Sequence, residues 1–191
     1  QLAGHTAGMT HRPAGFHYMN KQYKTVRETV ELIKSKLLFK PDTQYKYSTN
    51  AFNLIAAVIE GASGKSYLDY LNVAVFQPLK MQQTFAENID KLGNNDAQLY
   101  YFRKDKLVKE KLTRASYKIP GAGFRSTPTD LVKMMHGYSN GLISKKTVAN
   151  MFKSHQLANG EKTRVGIVWR STVDAFGNTP VEHAGSWRGA R

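Results

Sequence analysis

Apolar positions along the chain fall into short periodic runs divided by polar, glycine- or proline-bearing stretches, and caps and periodicity together place five helices. Thr25 and Glu28 make a Thr-x-x-Glu capping box. Behind it Val26, Val30, Ile33 and Leu37 repeat at i, i+4, i+7 and i+11, which predicts an amphipathic helix ending before Pro41. From Ala51 to Glu60 the residues Phe52, Leu54, Ile55, Ala56, Val58 and Ile59 are apolar nearly all round. That is the pattern of a helix buried on more than one side, here stopped by Gly61 and Gly64. Ser66 and Asp69 cap a third helix through Tyr67, Leu68, Leu71 and Val75, ending before Pro78. Thr127-Pro128-Thr129-Asp130 joins an N-cap, a proline at the first helical position and a reciprocal acid, ahead of Leu131, Met134 and Met135. Ser144 caps a short last helix through Val148, Met151 and Phe152.

Strands are scarcer. Arg164 to Thr172 and Thr179 to His183 flank Asp174-Ala175-Phe176-Gly177-Asn178 and predict a hairpin. Leu99 to Phe102 and Lys106 to Val108, around Lys104-Asp105, predict a weaker one. No internal repeat and no linker divides the chain, so it is read as a single partial domain, helical over about 1–160 with a sheet hairpin over about 161–191. A lone two-stranded hairpin is marginal in water. The expectation is therefore a piece of a larger α/β (α+β) protein, whose further strands lie outside these residues.

Composition narrows the class without naming a chemistry. The 191 residues are 41% hydrophobic and 22% charged, with a mean hydropathy of −0.48, an ordinary globular balance. The longest apolar run, Leu54 to Ile59, has six residues, far below the roughly 20 that span a bilayer. The absence of cysteine excludes disulfides, thiolate nucleophiles and Cys-ligated zinc. Lys and Arg number 28 against 14 Asp and Glu, a net charge of +14. Such a surplus suits a nucleic acid, an anionic surface or an acidic substrate. The densest cluster is Lys104, Lys106, Lys109, Lys111 and Arg114, with no zinc-finger, basic-zipper or RNA-recognition signature beside it.

Gly-x-Gly-x-x-Gly and P-loop motifs are missing, which disfavours nucleotide enzymes. His5, His11 and His17 are spaced by six, matching no standard metal motif, and are read as loop or core histidines. Two segments stand out. Tyr47-Ser48-Thr49-Asn50 is a polar cluster between Pro41 and the apolar helix. His183-Ala184-Gly185-Ser186 closes a strand, where small residues admit a substrate and free N–H groups can stabilise an oxyanion.

Several segments, in order, carry a resemblance. Leu2-Ala3-Gly4-His5-Thr6-Ala7-Gly8-Met9 is similar to a Leu-Leu-x-His-Thr-Ser-Gly-Ile pattern. Phe39-Lys40-Pro41-Asp42-Thr43-Gln44-Tyr45-Lys46-Tyr47-Ser48, then Leu54 to Glu60 with Ala62-Ser63-Gly64-Lys65-Ser66-Tyr67, follow in register. Pro78-Leu79-Lys80-Met81-Gln82-Gln83-Thr84, Gly121-Ala122-Gly123-Phe124-Arg125-Ser126-Thr127 with Asp130-Leu131, and Gly166-Ile167-Val168-Trp169 before His183-Ala184-Gly185 complete it. Together they resemble the serine β-lactamase and penicillin-binding-protein superfamily, most of all class C β-lactamases, their esterase relatives and the β-lactamase-like proteins.

The resemblance implies a β-lactamase/transpeptidase-like fold and a serine hydrolase acting through an acyl-enzyme on an amide, ester or peptide bond. It implies that Tyr47 shuttles a proton, that His183 is an electrostatic, substrate-orienting group, and that the Ser186 N–H is an oxyanion donor. Thr49 and Gly185 fall at substrate-binding positions. A phenol near pKa 10 is a poor base at neutral pH unless cations favour its phenolate, a part expected of a protonated His183 and the family's lysine. Thr49 stands where many members have Asn and lacks that amide's donor–acceptor pair. Asp42 stands where glycine is common, a change expected to alter only a turn. No serine is followed by lysine three positions later, so the nucleophilic Ser-x-x-Lys is expected ahead of Gln1.

No metal or organic cofactor is implied. The expected partner is a small-molecule or peptide substrate carrying a carboxylate, with no nucleic acid, possible envelope association and an open oligomeric state. The expected location is periplasmic, envelope-associated or secreted in a bacterium. The rival readings are a non-catalytic binding or assembly protein of the same fold and a basic nucleic-acid-binding domain with its lysine cluster on one face.

Overall fold

The computed structural model describes residues 1–13, 21–33, 36–187 and 189–190, and His17 lies outside them. The architecture is mixed α/β: helices α1 (Val26–Val30), α2 (Asn50–Ser63), α3 (Tyr67–Leu71), α4 (Ile119–Ala122), α5 (Pro128–Ser139) and α6 (Lys145–Phe152) are interleaved with short strands. The strands pair as three separate antiparallel couples among the described residues: β1 (Phe85–Ala86) with β4 (Phe124–Arg125), β2 (Tyr100–Arg103) with β3 (Lys106–Lys109), and β5 (Arg170–Ser171) with β6 (Val181–Glu182). No helix is long and apolar enough to cross a membrane among the described residues.

The caps form as the sequence predicts. The side chains of Thr25, Ser66, Thr127 and Ser144 each accept the backbone N–H three residues on. Glu28 reaches back to the Lys24 N–H at 2.8 Å, one residue beyond the cap of the usual box. The first helix is shorter than its periodicity, because α1 stops at Val30. Leu32 then packs on a cluster of Tyr23 and Tyr117, while Ile33 turns to a second cluster of Ala7, Met9 and Ala51. Farther on, the Leu38 N–H is held by the Gly8 carbonyl at 2.8 Å, and this long-range pairing overrides the i, i+4 pattern through Leu37.

Helix α2 chooses its buried side differently from its apolar content. Asn50, Ala51, Asn53 and Ala56 are buried, while Val58 is 65% exposed. Small side chains let neighbouring backbone approach, and Asn53 Nδ2 donates to the Tyr117 carbonyl at 2.8 Å, locking α2 to the turn at 116–118. The helix runs through Gly61 and ends at Gly64, whose φ of +67° supplies the left-handed cap. Helix α3 continues into a π turn over Asn72–Phe76 before Pro78.

The β1–β4 couple was not legible in the sequence, and it ties the 81–87 segment to the entry of α5. Buried Asp130 accepts from the Gln83 N–H at 2.8 Å, the Thr84 hydroxyl at 3.0 Å and Lys133 Nζ at 2.8 Å, stapling the same two segments. Only Arg170–Ser171 and Val181–Glu182 of the predicted last hairpin are paired strands. Its loop is organised by Asp174, whose carboxylate accepts the N–H groups of Phe176 and Asn178. In the other hairpin Lys104 and Asp105 both have positive φ, the geometry of a tight primed turn.

Two glycines test this packing against each other. At Gly8, with φ of +72°, an added Cβ would collide with the Phe39 carbonyl; at Gly64 it would meet open space. Gly64→Ala is therefore expected to cost about 1–2 kcal/mol, the price of left-handed backbone alone. Gly8→Ala should cost clearly more in urea unfolding, and equal midpoints for the two variants would contradict this account of residues 5–9.

Candidate active site

The N-terminal loop is the bed on which the Tyr47 segment lies. The His5 carbonyl accepts the Lys46 N–H at 2.9 Å and the Thr6 carbonyl accepts the Asp42 N–H at 2.7 Å. His5 Nδ1 accepts the Ser48 N–H at 3.1 Å, and the Ser48 hydroxyl donates to the Thr10 carbonyl at 2.8 Å. His11 Nδ1 accepts the Thr49 N–H at 3.3 Å, while Asn50 Nδ2 donates to Thr10 Oγ1 at 3.1 Å. These bonds fix the approach to α2 and leave the Tyr47 ring standing between imidazoles. Its centroid lies 4.3 Å from His5, 5.3 Å from His11 and 6.4 Å from His183.

Asp42 does more than change a turn. Its φ of +70° explains why glycine would suit the position, and its carboxylate grips His155 Nε2, which holds that carboxyl below its usual range. The loop leading to Tyr47 is thereby tied to the 155–163 segment as well.

Tyr47, Thr49, His183, Gly185 and Ser186 all line one cavity of about 420 Å³. Gly185 and Ser186 follow β6 on one side; Tyr47 and Thr49 enter α2 on the other. A Cβ on Gly185 would meet nothing within 4 Å, so the backbone there opens on free space. Thr49 is buried: its methyl lies under Gly121, where an added Cβ would come within 2.8 Å of Thr49 Cγ2, and its hydroxyl is 3.3 Å from His11 Nδ1. The cavity also takes in His11, Arg12, Asn50, Lys118, Arg170 and Trp187, none of which sequence reasoning assigned to it. Trp187 directly follows Ser186, and Lys118 lies three positions before Gly121, so nearness to the two motifs was the available signal.

The electrostatics differ from the expectation at His183. Burial and then the Arg170 charge hold His183 below its ordinary value of 6.5, so it is neutral at pH 7. Burial lowers His11 as well, helped by Arg12 and Lys118. His5 is pushed down to about 4 by burial, then by His183, Arg170 and His11. Three neutral imidazoles thus surround Tyr47, and the positive charge in the cavity comes from Arg12, Lys118 and Arg170. No Asp or Glu lines it among the described residues. No three His, Asp or Glu side chains converge as metal ligands among the described residues.

The basic cluster of the 104–114 stretch does not form one face. Lys106 and Lys109 are three apart on β3 and point to opposite sides of it. Arg114 is engaged by Asp90 at 2.6 and 2.9 Å.

This cavity is lined by a tyrosine at the head of helix α2 and by a His-x-Gly strand end, on a fold that solved structures share. The D-stereospecific amidohydrolase from Streptomyces sp. superposes with a TM-score of 0.78 at 18% identity, covering 99% of this chain and 61% of that one. The sequence matches the Beta-lactamase family across residues 1–191, and the chain belongs to that family. It is 39% identical over 132 residues to the serine beta-lactamase-like protein LACTB, mitochondrial, of Bos taurus, covering 66% of this chain and 24% of the relative. Over 207 residues it is 25% identical to penicillin-binding protein 4* of Bacillus subtilis (strain 168), covering 98% of this chain and 46% of the relative. The chain thus spans less than half the length of the curated relatives it matches.

The His5 environment sets a pH dependence. Between about pH 6.5 and 4 the unfolded chain binds a proton that folded His5 refuses, so stability is full above 6.5 and falls as pH drops through that window. The Tm should decline over this range, and His5→Gln should lower the Tm at pH 7 while making the decline shallower. A variant with the wild-type slope would remove His5 from the linkage.

Proposed function

We propose that residues 1–191 form part of a serine hydrolase of the class C β-lactamase-like type, cleaving an amide, ester or peptide bond through an acyl-enzyme. The observation that carries this reading is the convergence of Tyr47, Thr49, His183, Gly185 and Ser186 on one cavity. The nucleophilic serine and its lysine are supplied by a Ser-x-x-Lys segment outside these residues, since no serine of the chain has that spacing. The chain is then a single partial domain, its helical region over about 1–160 and its sheet hairpin over about 161–191.

In this mechanism the Tyr47 hydroxyl takes the proton of the attacking serine and delivers it to the leaving group. The Ser186 N–H donates to the developing oxyanion, together with the N–H of the nucleophile. Neutral His183 orients substrate through hydrogen bonding rather than through charge. The nearby cations Arg12, Lys118 and Arg170 do the electrostatic work first ascribed to it, and they favour phenolate character during proton transfer. The cationic lining supports a small-molecule or peptide substrate bearing a carboxylate. The proposed location is periplasmic, envelope-associated or secreted in a bacterium, whereas the LACTB relative is mitochondrial by its name. A non-catalytic binding or assembly protein of the same fold is the alternative, and it predicts no turnover at all.

In the intact protein, Tyr47→Phe should reduce ester hydrolysis by at least about a hundredfold, the scale of a lost proton-transfer group. Turnover unchanged in that variant would exclude Tyr47 from the mechanism, and absence of turnover in the wild type on ester, amide and D-peptide substrates would favour the non-catalytic reading.

A further inference from the structure

The cavity that Tyr47 lines also holds Lys118, which the hydrolytic mechanism uses only as one of several charges favouring the phenolate. Lys118 ends the turn Ser116–Lys118, and that turn is pinned from both sides. Ser116 Oγ accepts the Tyr23 N–H at 3.0 Å, Tyr117 is buried, and the Tyr117 carbonyl takes the Asn53 amide at 2.8 Å. From this fixed backbone the Lys118 side chain reaches Trp187, its Nζ 3.9 Å from the centre of the indole face. A cation–π contact holds an ammonium in place but offers none of its three N–H donors an oxygen. Among the described residues Lys118 has no ion pair and no side-chain hydrogen bond.

Its surroundings sharpen the imbalance. Arg12 stands beside it as a like charge, and the nearest acid acting on it is Glu87. Glu87 is already committed to Arg125 at 3.0 Å. Among the described residues no acid lines the cavity, whose other polar groups include His11 and His183, the phenols of Tyr47 and Tyr117, and Arg170. Among the described cations of the cavity, Arg12 is exposed, and Arg170 acts on His5, His183 and Tyr45. Lys118 is half-buried, where loss of hydration makes an anionic partner most valuable.

We propose that the Lys118 ammonium is the anchor for a substrate carboxylate, and therefore the residue that selects anionic amides or esters over neutral ones. This role rests on the hydrolase reading, whereas the binding itself needs no turnover. Burial, followed by Arg12, brings Lys118 down to about 8 against an upward pull from Glu87. The anchor is therefore charged below about pH 8 and lost above it.

The test is calorimetric titration of the intact protein with phenylacetate and with its neutral counterpart phenylacetamide, in low salt. At pH 7 the wild type should bind phenylacetate at least about tenfold more tightly, the scale of a hydrogen bond to a charged group. Lys118→Met should abolish that preference and Lys118→Arg should retain it. Raising the pH from 7 to 9 should weaken phenylacetate binding by about tenfold and leave phenylacetamide unaffected, as expected for an anchor titrating midway. Equal binding of the two ligands by the wild type, no binding of either, or an undiminished preference in Lys118→Met would each overturn the assignment. If Lys118→Met lacks the wild-type thermal transition, the Lys118→Arg and pH comparisons decide alone. A protein that keeps the carboxylate preference but turns over no substrate would contradict the hydrolase reading and leave the anchor standing.

Discussion

The clasp between the N-terminal loop and the segment leading into α2 is the constraint on which the site depends. Its central bond runs from the Ser48 N–H to His5 Nδ1, in a place with no water to compete for either group: both residues are buried. Because Nδ1 accepts, the ring's proton resides on Nε2, so the bond requires neutral histidine. The same ring lies against Tyr47, tilted by 38° with centroids 4.3 Å apart, and limits the phenol's direction. Protonating His5 would remove the acceptor, place a charge beside His11 and His183, and loosen the head of α2 together. A polar core is thus traded for position: His5, Thr6, Ser48, Thr49, Asn50 and Asn53 occupy buried places that an ordinary helical domain would fill with Leu or Ile.

From that clasp the rest of the cavity follows by contact. Helix α2 carries Asn53 to the Tyr117 carbonyl, which sets the wall bearing Lys118; Thr49 fits beneath Gly121, which sets the distance to α4. The opposite wall comes from β6 and its continuation through Ser186 to Trp187. What distinguishes the site is the sorting of charge. Imidazoles close to the tyrosine are kept neutral by burial and by neighbouring cations, while arginine and lysine, which tolerate such surroundings better, carry the positive potential. That sorting replaces the picture of a protonated His183 and gives the large positive surplus of the chain a local use.

Local signals in the sequence were reliable where one residue acts on its neighbours. Thr25, Ser66, Thr127 and Ser144 cap helices as their spacing indicates, whereas Tyr47, Thr49, His183, Gly185 and Ser186 were singled out by the family resemblance, and they line one cavity. What escaped depends on partners distant in the chain. The helix expected through Leu37 yields to the Leu38–Gly8 pairing, a contact across 30 positions. The β1–β4 couple has two residues per strand, too few for a period of two to register. Val58 shows that an apolar helix need not bury every apolar side chain, since Asn53 and the alanines take the inner face. His11, Arg12, Lys118 and Arg170 carry no motif at all, and only the folded chain brings them to Tyr47.

The central claim is that this site belongs to a hydrolase whose serine lies on a segment other than residues 1–191. Its most direct test is the intact mass of the native protein before and after exposure to a fluorophosphonate. The account predicts a mass well above the 21.5 kDa of these residues and the gain of a single adduct, located by peptide mapping on the serine of a Ser-x-x-Lys sequence. A native protein that takes up no adduct while remaining folded would contradict it.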